Sequence, residues 1–229
     1  MIRIINQLIA KFKNEEFTID VQIPTSYLIR FFFSKCVNLF YGVFIFRKIK
    51  LIFIHPTSVI KCKNKILYGK NLSIDRWCYI DALSKKGIVL GNNVSIGKKT
   101  TIECTGSLRN LGEGLVVGKN VGLGTHGFFG CAGGINIGDD TIFGNFVSLH
   151  SENHNFKNIN IPIRLQGVNR KGISIGKNCW IGAKVTILDG VTIEDGCIIA
   201  AGCVVTEGNY SSNCIYAGVP ARLLKQRNN

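Results

Sequence analysis

Residues 175–205 read IGKNCWIGAKVTILDGVTIEDGCIIAAGCVV, and an aliphatic side chain recurs there at every sixth position. The six positions are Ile175, Ile181, Ile187, Ile193, Ile199 and Val205. A period of six fits neither the 3.6-residue turn of an α-helix nor the two-residue alternation of a simple strand. It is expected when a short strand turns a corner every six residues and points one large side chain inward from each face. The segment therefore predicts a parallel β-helix built from hexapeptides, three to each coil.

Turn-forming and small residues fill the positions between these aliphatic residues. Three residues after most of them comes Asn or Gly, at Asn178, Gly190, Gly196, Gly202 and Gly208. Asn and Gly adopt left-handed backbone angles at low cost, which suits a corner. The next position is small or branched, at Cys179, Val185, Val191, Cys197 and Cys203. We expect these side chains to fill the inside of each corner.

The same period extends through most of the chain, with shifts between blocks. The blocks are Ile54, Ile60 and Ile66; Tyr68, Ile74 and Ile80; Leu90, Ile96 and Ile102; Leu111, Val117 and Leu123; and Ile137, Phe143 and Leu149. Corner residues recur at Asn71, Asn93, Asn120 and Asp140. The shifts indicate loops inserted at corners. The sequence thus predicts an all-β solenoid over residues 54–208, with about eight coils of roughly eighteen residues.

The N-terminal segment, residues 1–53, is predicted to be helical, hydrophobic and basic. Residues 2–13 have apolar side chains at helical spacing, and residues 27–54 are the most apolar part of the chain. One interpretation is a helix that caps the open end of the β-helix. The other is an interfacial helix on a membrane, with anionic headgroups facing Arg30, Lys35, Arg47, Lys48 and Lys50. The two interpretations are compatible, and the uncharged run Cys36–Phe46 is shorter than the roughly 20 residues of a membrane span.

Two segments depart from the repeat. Residues 150–172, HSENHNFKNINIPIRLQGVNRKG, are polar and lack the six-residue period. A long excursion from a rigid scaffold commonly carries binding or chemistry. In the C-terminal tail, residues 209–229, Gly218-Val219-Pro220 breaks the chain, and Ala221–Arg227 is predicted to form a short basic helix.

Charge and cysteine content narrow the functional classes. The chain has 28 basic and 14 acidic residues among 229, a net charge of +14, which favours anionic partners. No nucleic-acid-binding motif is present, so phosphate-bearing cofactors or acidic lipids account for the charge better than nucleic acid. The nine cysteines contain no CxxC pair, and no signal-peptide pattern is visible. We therefore expect reduced, buried thiols and a cytoplasmic protein, with peripheral association at the inner face of the plasma membrane as a further expectation.

Histidines at the start of the excursion are the candidate catalytic groups. His150 and His154 flank Glu152, and a histidine of near-neutral pKa is suited to take a proton from an alcohol. Glu152 or a backbone carbonyl could orient the second ring nitrogen. The alternative for each histidine is a hydrogen-bonded structural role. His126, His150 and His154 could also bind zinc, but the 24-residue step from His126 to His150 does not match whole coils, so we expect no metal.

Four segments together resemble the hexapeptide-repeat acyltransferases, and most of all the bacterial sugar and polysaccharide O-acetyltransferases. They are HSENHNF (150–156), GKNCWIGAKVTILDGVTI (176–193), AAGCVV (200–205) and AGVPARLLKQR (217–227). The resemblance covers about residues 54–227. It implies a left-handed β-helix, although right-handed crossovers are the general rule. It also implies a homotrimer with active sites in clefts between subunits, and acetyl-CoA as the acyl donor.

The resemblance assigns roles to individual residues. His154 matches the catalytic histidine, while His150 has no fixed role in the family. Trp180 matches the tryptophan beside the pantetheine arm of the cofactor, and Gly182, Ala183, Ala201 and Gly202 match small residues close to that arm. Arg222 and Lys225 match basic residues near the CoA phosphates. Glu207 stands where relatives often carry a lysine that reaches the cofactor.

Three functions remain open from the sequence. The leading one is transfer of an acetyl group from acetyl-CoA to a sugar hydroxyl of a surface polysaccharide or its precursor, by direct attack with His154 as general base. A second is acetylation of another small acceptor, such as an amino sugar, serine or an antibiotic. The third is a catalytically inactive β-helix scaffold. A metal-dependent hydratase is disfavoured by the histidine spacing.

Overall fold

The computed structural model describes residues 19–47 and 50–227. The predicted apolar segment 2–13 and Lys48 lie outside the described residues. The chain divides into two compact units, Met1–Val37 and Asn38–Asn229. The second unit contains every strand of the described chain.

Helix α1 spans Thr25–Phe46 and ends where Arg47 adopts a left-handed backbone angle, φ 51°. In the second unit, Tyr41, Ile45 and Phe46 pack against the hydrophobic core. A Cβ atom on Gly42 would collide with the carbonyl oxygen of Ile52, so the helix backbone lies directly on the first coil. Residues 52 and 53, which the sequence suggested as part of the helical segment, instead belong to the first strand with Ile54, because Ile52 and Ile54 are fully buried in the core.

The β-helix has three parallel sheets. Sheet I contains β2 (Val59–Lys61), β5 (Tyr79–Asp81), β8 (Thr101–Glu103), β12 (Phe128–Gly130), β15 (Ser148–His150), β20 (Thr186–Leu188) and β23 (Val204–Val205). Sheet II contains β3 (Ile66–Tyr68), β6 (Ile88–Leu90), β11 (Leu115–Val117), β13 (Ile135–Ile137), β18 (Ile173–Ile175), β21 (Val191–Ile193) and β24 (Gly208–Tyr210). Sheet III contains β1 (Ile52–Ile54), β4 (Leu72–Ile74), β7 (Ser95–Ile96), β14 (Ile142–Phe143), β19 (Trp180–Ile181), β22 (Ile198–Ile199), β25 (Cys214–Ala217) and β26 (Arg222–Gln226), with Gly122 bridging β7 and β14.

Shorter elements lie outside these three sheets. They are the hairpin β9 (Gly106–Ser107) and β10 (Asn110–Leu111), the hairpin β16 (Asn153–His154) and β17 (Val168–Asn169), and the 3-10 turns Lys63–Lys65 and Ile163–Leu165.

The chain passes from sheet III to sheet I to sheet II in each coil and then returns to sheet III. Seven strands in each of sheets I and II give seven complete coils, and β25 begins an eighth. This is the parallel β-helix that the six-residue period predicted, with the left-handed coiling that the resemblance implied. The repeat positions of the 175–205 block are all buried in its core.

One repeat position was wrong. Leu111 lies in the β9–β10 hairpin, where it pairs antiparallel with Gly106, and it does not point into the core. The hairpin is inserted between β8 and β11. Its residues add to the length of that coil, so the six-residue spacing is interrupted there. The inward residues of the strand that follows the hairpin, β11, are Leu115 and the predicted repeat position Val117, which are 1% and 2% exposed.

An asparagine ladder follows the corner between sheets II and III. Asn71, Asn93, Asn120 and Asp140 all have left-handed φ angles of 58° or 59°. The amide of Asn71 donates to Asn93 at 3.2 Å, that of Asn93 to Asn120 at 2.8 Å, and that of Asn120 to the Asp140 carboxylate at 2.7 Å. The corner residues expected from the sequence therefore also bond from coil to coil.

The C-terminal helix predicted for Ala221–Arg227 is not formed; this segment contains strand β26. Ala221 is 2% exposed and its N–H donates to the Val204 carbonyl at 2.8 Å, which fixes the start of the segment. Residues 222–226 then pair antiparallel with β25. A helix this short is marginal in isolation, whereas the open edge of sheet III offers backbone partners at once.

The cysteines are all free, and seven of the nine are buried. Cys179, Cys197 and Cys203 occupy the corner positions anticipated from the sequence, each at most 1% exposed. Burial raises the pKa of Cys197 to about 11, so this thiol stays protonated at neutral pH.

Coil-to-coil packing predicts the effect of adding one methyl group at a glycine corner. A Cβ on Gly138 would lie 2.6 Å from the backbone of Gly176 in the next coil, so Gly138→Ala should lower the free energy of unfolding by roughly 1–3 kcal/mol. Gly122 is the matched control, since its Cβ would meet only the Ser95 hydroxyl at 3.5 Å. Gly122→Ala should leave the stability unchanged or raise it by up to about 1 kcal/mol. Denaturant unfolding of both variants checks this, and equal stability of the two would contradict the packing argument.

Candidate active site

His154 lies on a hairpin that leaves the β-helix between β15 and β18. Its strand β16 pairs antiparallel with β17, and His154 is in register with Val168. The next residue continues the pairing, because the Asn155 N–H donates to the Gly167 carbonyl at 3.0 Å. The imidazole is exposed. The excursion singled out from the sequence is therefore an ordered hairpin that presents a histidine to solvent.

Two buried polar side chains anchor the base of this hairpin. The Ser151 hydroxyl, fully buried, donates to the Gly130 carbonyl at 2.7 Å and accepts from the Gly133 N–H at 2.9 Å. At the other end, the carboxylate of Asp189, 2% exposed, accepts from the N–H groups of Lys171 at 3.0 Å and Gly172 at 2.7 Å. A buried carboxylate is costly unless it is hydrogen-bonded, so these contacts hold the hairpin at a fixed position on the coil.

Gln166 organises the far part of the hairpin. Its amide nitrogen donates to the carbonyls of Asn158 and Ile161, both at 2.7 Å, and its amide oxygen accepts from the Asn158 N–H at 3.1 Å. Its own carbonyl accepts from the Asn155 side chain at 3.1 Å. These bonds close the loop across its width.

Glu152 is engaged by Arg170 and makes no contact with either neighbouring histidine among the hydrogen bonds of the described chain. Arg170 Nε lies 2.7 Å from Glu152 Oε2. The same guanidinium donates to the carbonyls of Leu111 and Asn110, both at 3.0 Å. Arg170 thus ties the two strands of the catalytic-candidate hairpin to the β9–β10 hairpin. The expected role of Glu152 in orienting a histidine stays a prediction that this geometry does not favour.

His150 and His126 take part in two ring pairs on neighbouring coils. The His150 ring lies 5.4 Å from Phe128, and burial lowers the pKa of His150, which favours a neutral imidazole at neutral pH although part of the residue reaches solvent. The His126 ring stacks on Phe146 at 4.7 Å, and both residues have left-handed φ angles, 56° and 61°. The sequence analysis missed the two phenylalanines. For Phe146 the available signal was an aromatic residue at a corner where Asn or Gly is usual, whereas Phe128 lies in strand β12 and gave no such signal.

No group of three His, Cys, Asp or Glu side chains within residues 19–47 and 50–227 could hold a metal ion. His126, His150 and His154 are therefore not assembled as ligands in one chain.

Trp180 projects outward from sheet III and is 52% exposed. Its strand neighbours are Ile142 on one side and Ile198 on the other. Beyond Ile198, the register continues to Ile215 and then to Lys225. Four successive strands thus align Trp180, Ile198, Ile215 and Lys225 in one column, over about 14 Å at the usual strand spacing. We call this the Trp180–Lys225 column.

The small residues near Trp180 are required for different structural reasons. A Cβ on Gly182 would lie 2.6 Å from the Ala201 nitrogen, so close coil stacking already demands glycine there. Gly202 has a φ of 74° and open space around its missing side chain, while its N–H donates to the Ala183 carbonyl at 2.8 Å. Ala201 is exposed at this corner.

The basic residues of the tail lie on β26. Arg222 and Lys225 are both exposed, and Arg222 Nη1 donates to the Ala221 carbonyl at 3.1 Å. Glu207, the departure noted in the sequence, forms an ion pair with Lys171. Its charge is therefore matched within the chain, at the base of the His154 hairpin.

A groove of about 310 Å³ with a mixed polar and apolar lining lies on sheet II, and its polar lining residues include Lys86, Glu113, Asn136, Lys171 and Thr192. None of the site residues predicted from the sequence lines it. A cleft around the predicted site residues would therefore lie elsewhere on the molecule than this groove.

Comparison with known proteins gives a family model and two curated relatives. Residues 172–207 match the model described as bacterial transferase hexapeptide (six repeats). The chain is 34% identical over 93 residues to the probable acetyltransferase Rv3034c of Mycobacterium tuberculosis, a match covering 41% of this chain and 31% of that protein. It is 29% identical over 101 residues to the putative lipopolysaccharide biosynthesis O-acetyl transferase WbbJ of Escherichia coli, covering 41% and 51% of the two chains. The matches thus span about a third to a half of these relatives.

Among solved structures, the chain is similar to AntD, an N-acyltransferase from Bacillus cereus, in a variant determined in complex with dTDP and coenzyme A. The TM-score is 0.58 with 24% identity, covering 70% of this chain and 84% of AntD. That likeness supports the fold. The chain is accordingly a left-handed parallel β-helix that carries bacterial transferase hexapeptide repeats at residues 172–207, and it is similar in sequence to named acetyltransferases.

Proposed function

We propose that this protein is an acetyl-CoA-dependent O-acetyltransferase that acts in the cytoplasm on a sugar hydroxyl of a surface polysaccharide or its precursor. The observation that carries the proposal is the Trp180–Lys225 column, combined with an exposed histidine on an anchored hairpin. The names of the acetyltransferase relatives agree with it, including one for lipopolysaccharide biosynthesis.

The column has the chemistry required by the long donor molecule. Trp180, Ile198 and Ile215 form an apolar path along sheet III, which suits the pantetheine arm. Lys225, with Arg222 nearby on the same strand, puts positive charge at the end of the path, which suits the CoA phosphates. At the opposite end, Ala183, Ala201 and Gly202 keep the surface beside Trp180 free of large side chains, so that the thioester end can approach closely.

His154 supplies the base in this proposal. Its exposed imidazole accepts the proton of the acceptor hydroxyl as that oxygen bonds to the acetyl carbonyl carbon. The carbon–sulfur bond of the donor then breaks, and the proton held by His154 is returned to the departing thiolate. Ser151, Asp189 and Arg170 act as positioning residues, because they fix the hairpin that carries His154. The proposal also assigns to the His150 ring, which lies 5.4 Å from the Phe128 ring, a contact with the acceptor.

The topology favours a site shared between two copies of the chain. The hairpin leaves at the corner between sheets I and II, whereas Trp180 projects from sheet III, which is the face opposite that corner. A single β-helix therefore presents the base and the donor column on different faces. In a cyclic homotrimer, the hairpin of one subunit would lie against sheet III of its neighbour.

The first prediction concerns the base. His154→Ala should lower acceptor-dependent release of CoA thiol by about 10²- to 10⁴-fold in kcat. Thiol release from acetyl-CoA with a glycan extract from the source cells measures this.

His55→Ala is the matched control. His55 lies near the first coil, where its Nδ1 contacts the Thr57 hydroxyl at 2.9 Å, and its loss should leave the rate unchanged. Full activity in His154→Ala would refute the assignment of the base. Acetyl-CoA binding without turnover on any hydroxyl, amine or glycan acceptor would favour the scaffold function instead.

The second prediction concerns the donor column. Trp180→Ala should raise the KM for acetyl-CoA roughly tenfold, since an aromatic wall of the apolar path is lost. The other tryptophan of the chain, Trp77, is similarly exposed (55% against 52%) but belongs to an early coil, so Trp77→Ala should not change KM. Steady-state kinetics with varied acetyl-CoA compares the two. Equal effects would remove the column from the donor site.

The third prediction concerns the shared site. Subunits with His154→Ala and subunits with Trp180→Ala, refolded or expressed together, should regain about a quarter of the wild-type activity at low acetyl-CoA, because that fraction of randomly mixed interfaces pairs two intact residues. If each site lay within one chain, the mixture would show only the average of the two variants.

A further inference from the structure

The C-terminal half of α1 exposes two large aromatic side chains. Phe40 is 78% exposed and Phe44 is 75% exposed, while Gly42 and Ile45 face the first coil. In the preceding unit, Phe31 and Phe33 are exposed as well, 45% and 71%. Clustered exposed apolar side chains of this size mark an interaction surface.

The orientation of the helix limits what that surface can contact. By length and composition α1 is long and apolar enough to cross a membrane, a criterion that core helices and signal sequences also meet. Within residues 38–46, however, one side is already covered by the β-helix, because the Gly42 backbone rests on Ile52. A segment covered in this way cannot have lipid on all sides, but its free side can lie in the interfacial plane of a bilayer.

The charge distribution identifies the partner. Residues 21–74 contain nine Lys or Arg and no Asp or Glu, so this segment supplies +9 of the net +14. Contacts gather cations around the end of α1: Lys63 Nζ donates to the Ile45 carbonyl at 2.8 Å, and Lys50 Nζ lies 5.4 Å from the Tyr68 ring, which itself packs on Phe46. Arg47 follows the last helical residue. Exposed aromatic rings flanked by positive charge, in a segment without Asp or Glu, are complementary to an anionic lipid surface.

We propose that Phe40 and Phe44 insert into the headgroup region of an anionic bilayer and that basic residues of the same unit, within the acid-free range 38–74, contact the lipid phosphates. A second copy of the chain fits the same surface poorly, because a contact between like ends would bring two segments of nine cations together. The proposal does not depend on the transferase activity. It adds that the β-helix stands with its first coil toward the membrane.

The experiment is co-sedimentation of the full chain with vesicles. Wild type should pellet with phosphatidylglycerol-containing vesicles, more weakly as salt is raised, and should not pellet with phosphatidylcholine vesicles. The double variant Phe40→Ser with Phe44→Ser should lose about tenfold or more in partition coefficient, since two aromatic rings no longer enter the interface. Phe40→Leu with Phe44→Leu should keep most of the binding. Arg47→Gln with Lys50→Gln should reduce the salt dependence.

The matched control is Leu223→Ser with Leu224→Ser. These two side chains are also exposed, 61% and 64%, and are flanked by Arg222 and Lys225, but they lie at the other end of the coil stack. This variant should sediment like wild type. Equal losses in both serine pairs, or wild-type binding to both vesicle types, would overturn the proposal. A third result would also overturn it: wild type does not bind vesicles, and the Phe40/Phe44 serine pair differs from wild type in molecular mass by light scattering without lipid. In that case a second copy of the chain would cover the surface.

Discussion

Parallel backbone hydrogen bonds hold each coil of this β-helix against the next at the strand spacing of about 4.8 Å, and that short distance constrains every other feature. A side chain that points inward packs directly against the inward side chains of the coils on either side. Branched Ile and Val suit this packing, and they dominate the buried positions. A residue at a corner must either leave the neighbouring backbone free, as Gly138 does for Gly176, or bond to its counterpart one coil away, as Asn93 does to Asn120. Corner chemistry is therefore a consequence of coil spacing.

A scaffold so regular has little freedom to build a pocket, and chemistry must come from departures. The hairpin that carries His154 is such a departure, and its position is fixed by groups that belong to the scaffold. Ser151 bonds to the coil before it and Asp189 receives two backbone N–H groups from the returning strand. Arg170 joins this hairpin to the β9–β10 hairpin of an earlier coil. Two insertions that are distant in sequence thus form one supported surface.

The six-residue period was sufficient to predict the fold, because large inward side chains and left-handed corners leave a direct trace in the sequence. Where the period was interrupted, prediction was less accurate. Leu111 matched the spacing but belongs to an inserted hairpin, since spacing alone does not distinguish a core position from a loop position. The tail from Ala221 to Arg227 had local features of a helix, yet the unpaired edge of β25 decided its conformation. That edge exists only in the folded chain.

The candidate site was predictable only in part for a similar reason. Residue types and motifs pointed to His154 and Trp180, but not to Arg170, whose three partners come from two separate segments. The sequence also suggested Glu152 as a partner for histidine, because adjacency along the chain is visible and competition from a distant arginine is not. The Trp180–Lys225 column likewise depends on strand register across β22, β25 and β26.

The reversal of direction at β26 has a consequence for the open edge of sheet III. Every earlier neighbour in sheet III is parallel, so each coil could in principle template another of the same kind, within the molecule or from a second one. An antiparallel strand with Arg222, Lys225 and no hexapeptide pattern presents a mismatched and charged edge to any incoming coil. The strand thereby acts as a terminator of growth. A repeat that is well suited to open-ended stacking is thus blocked at this edge of sheet III by a strand of the opposite direction.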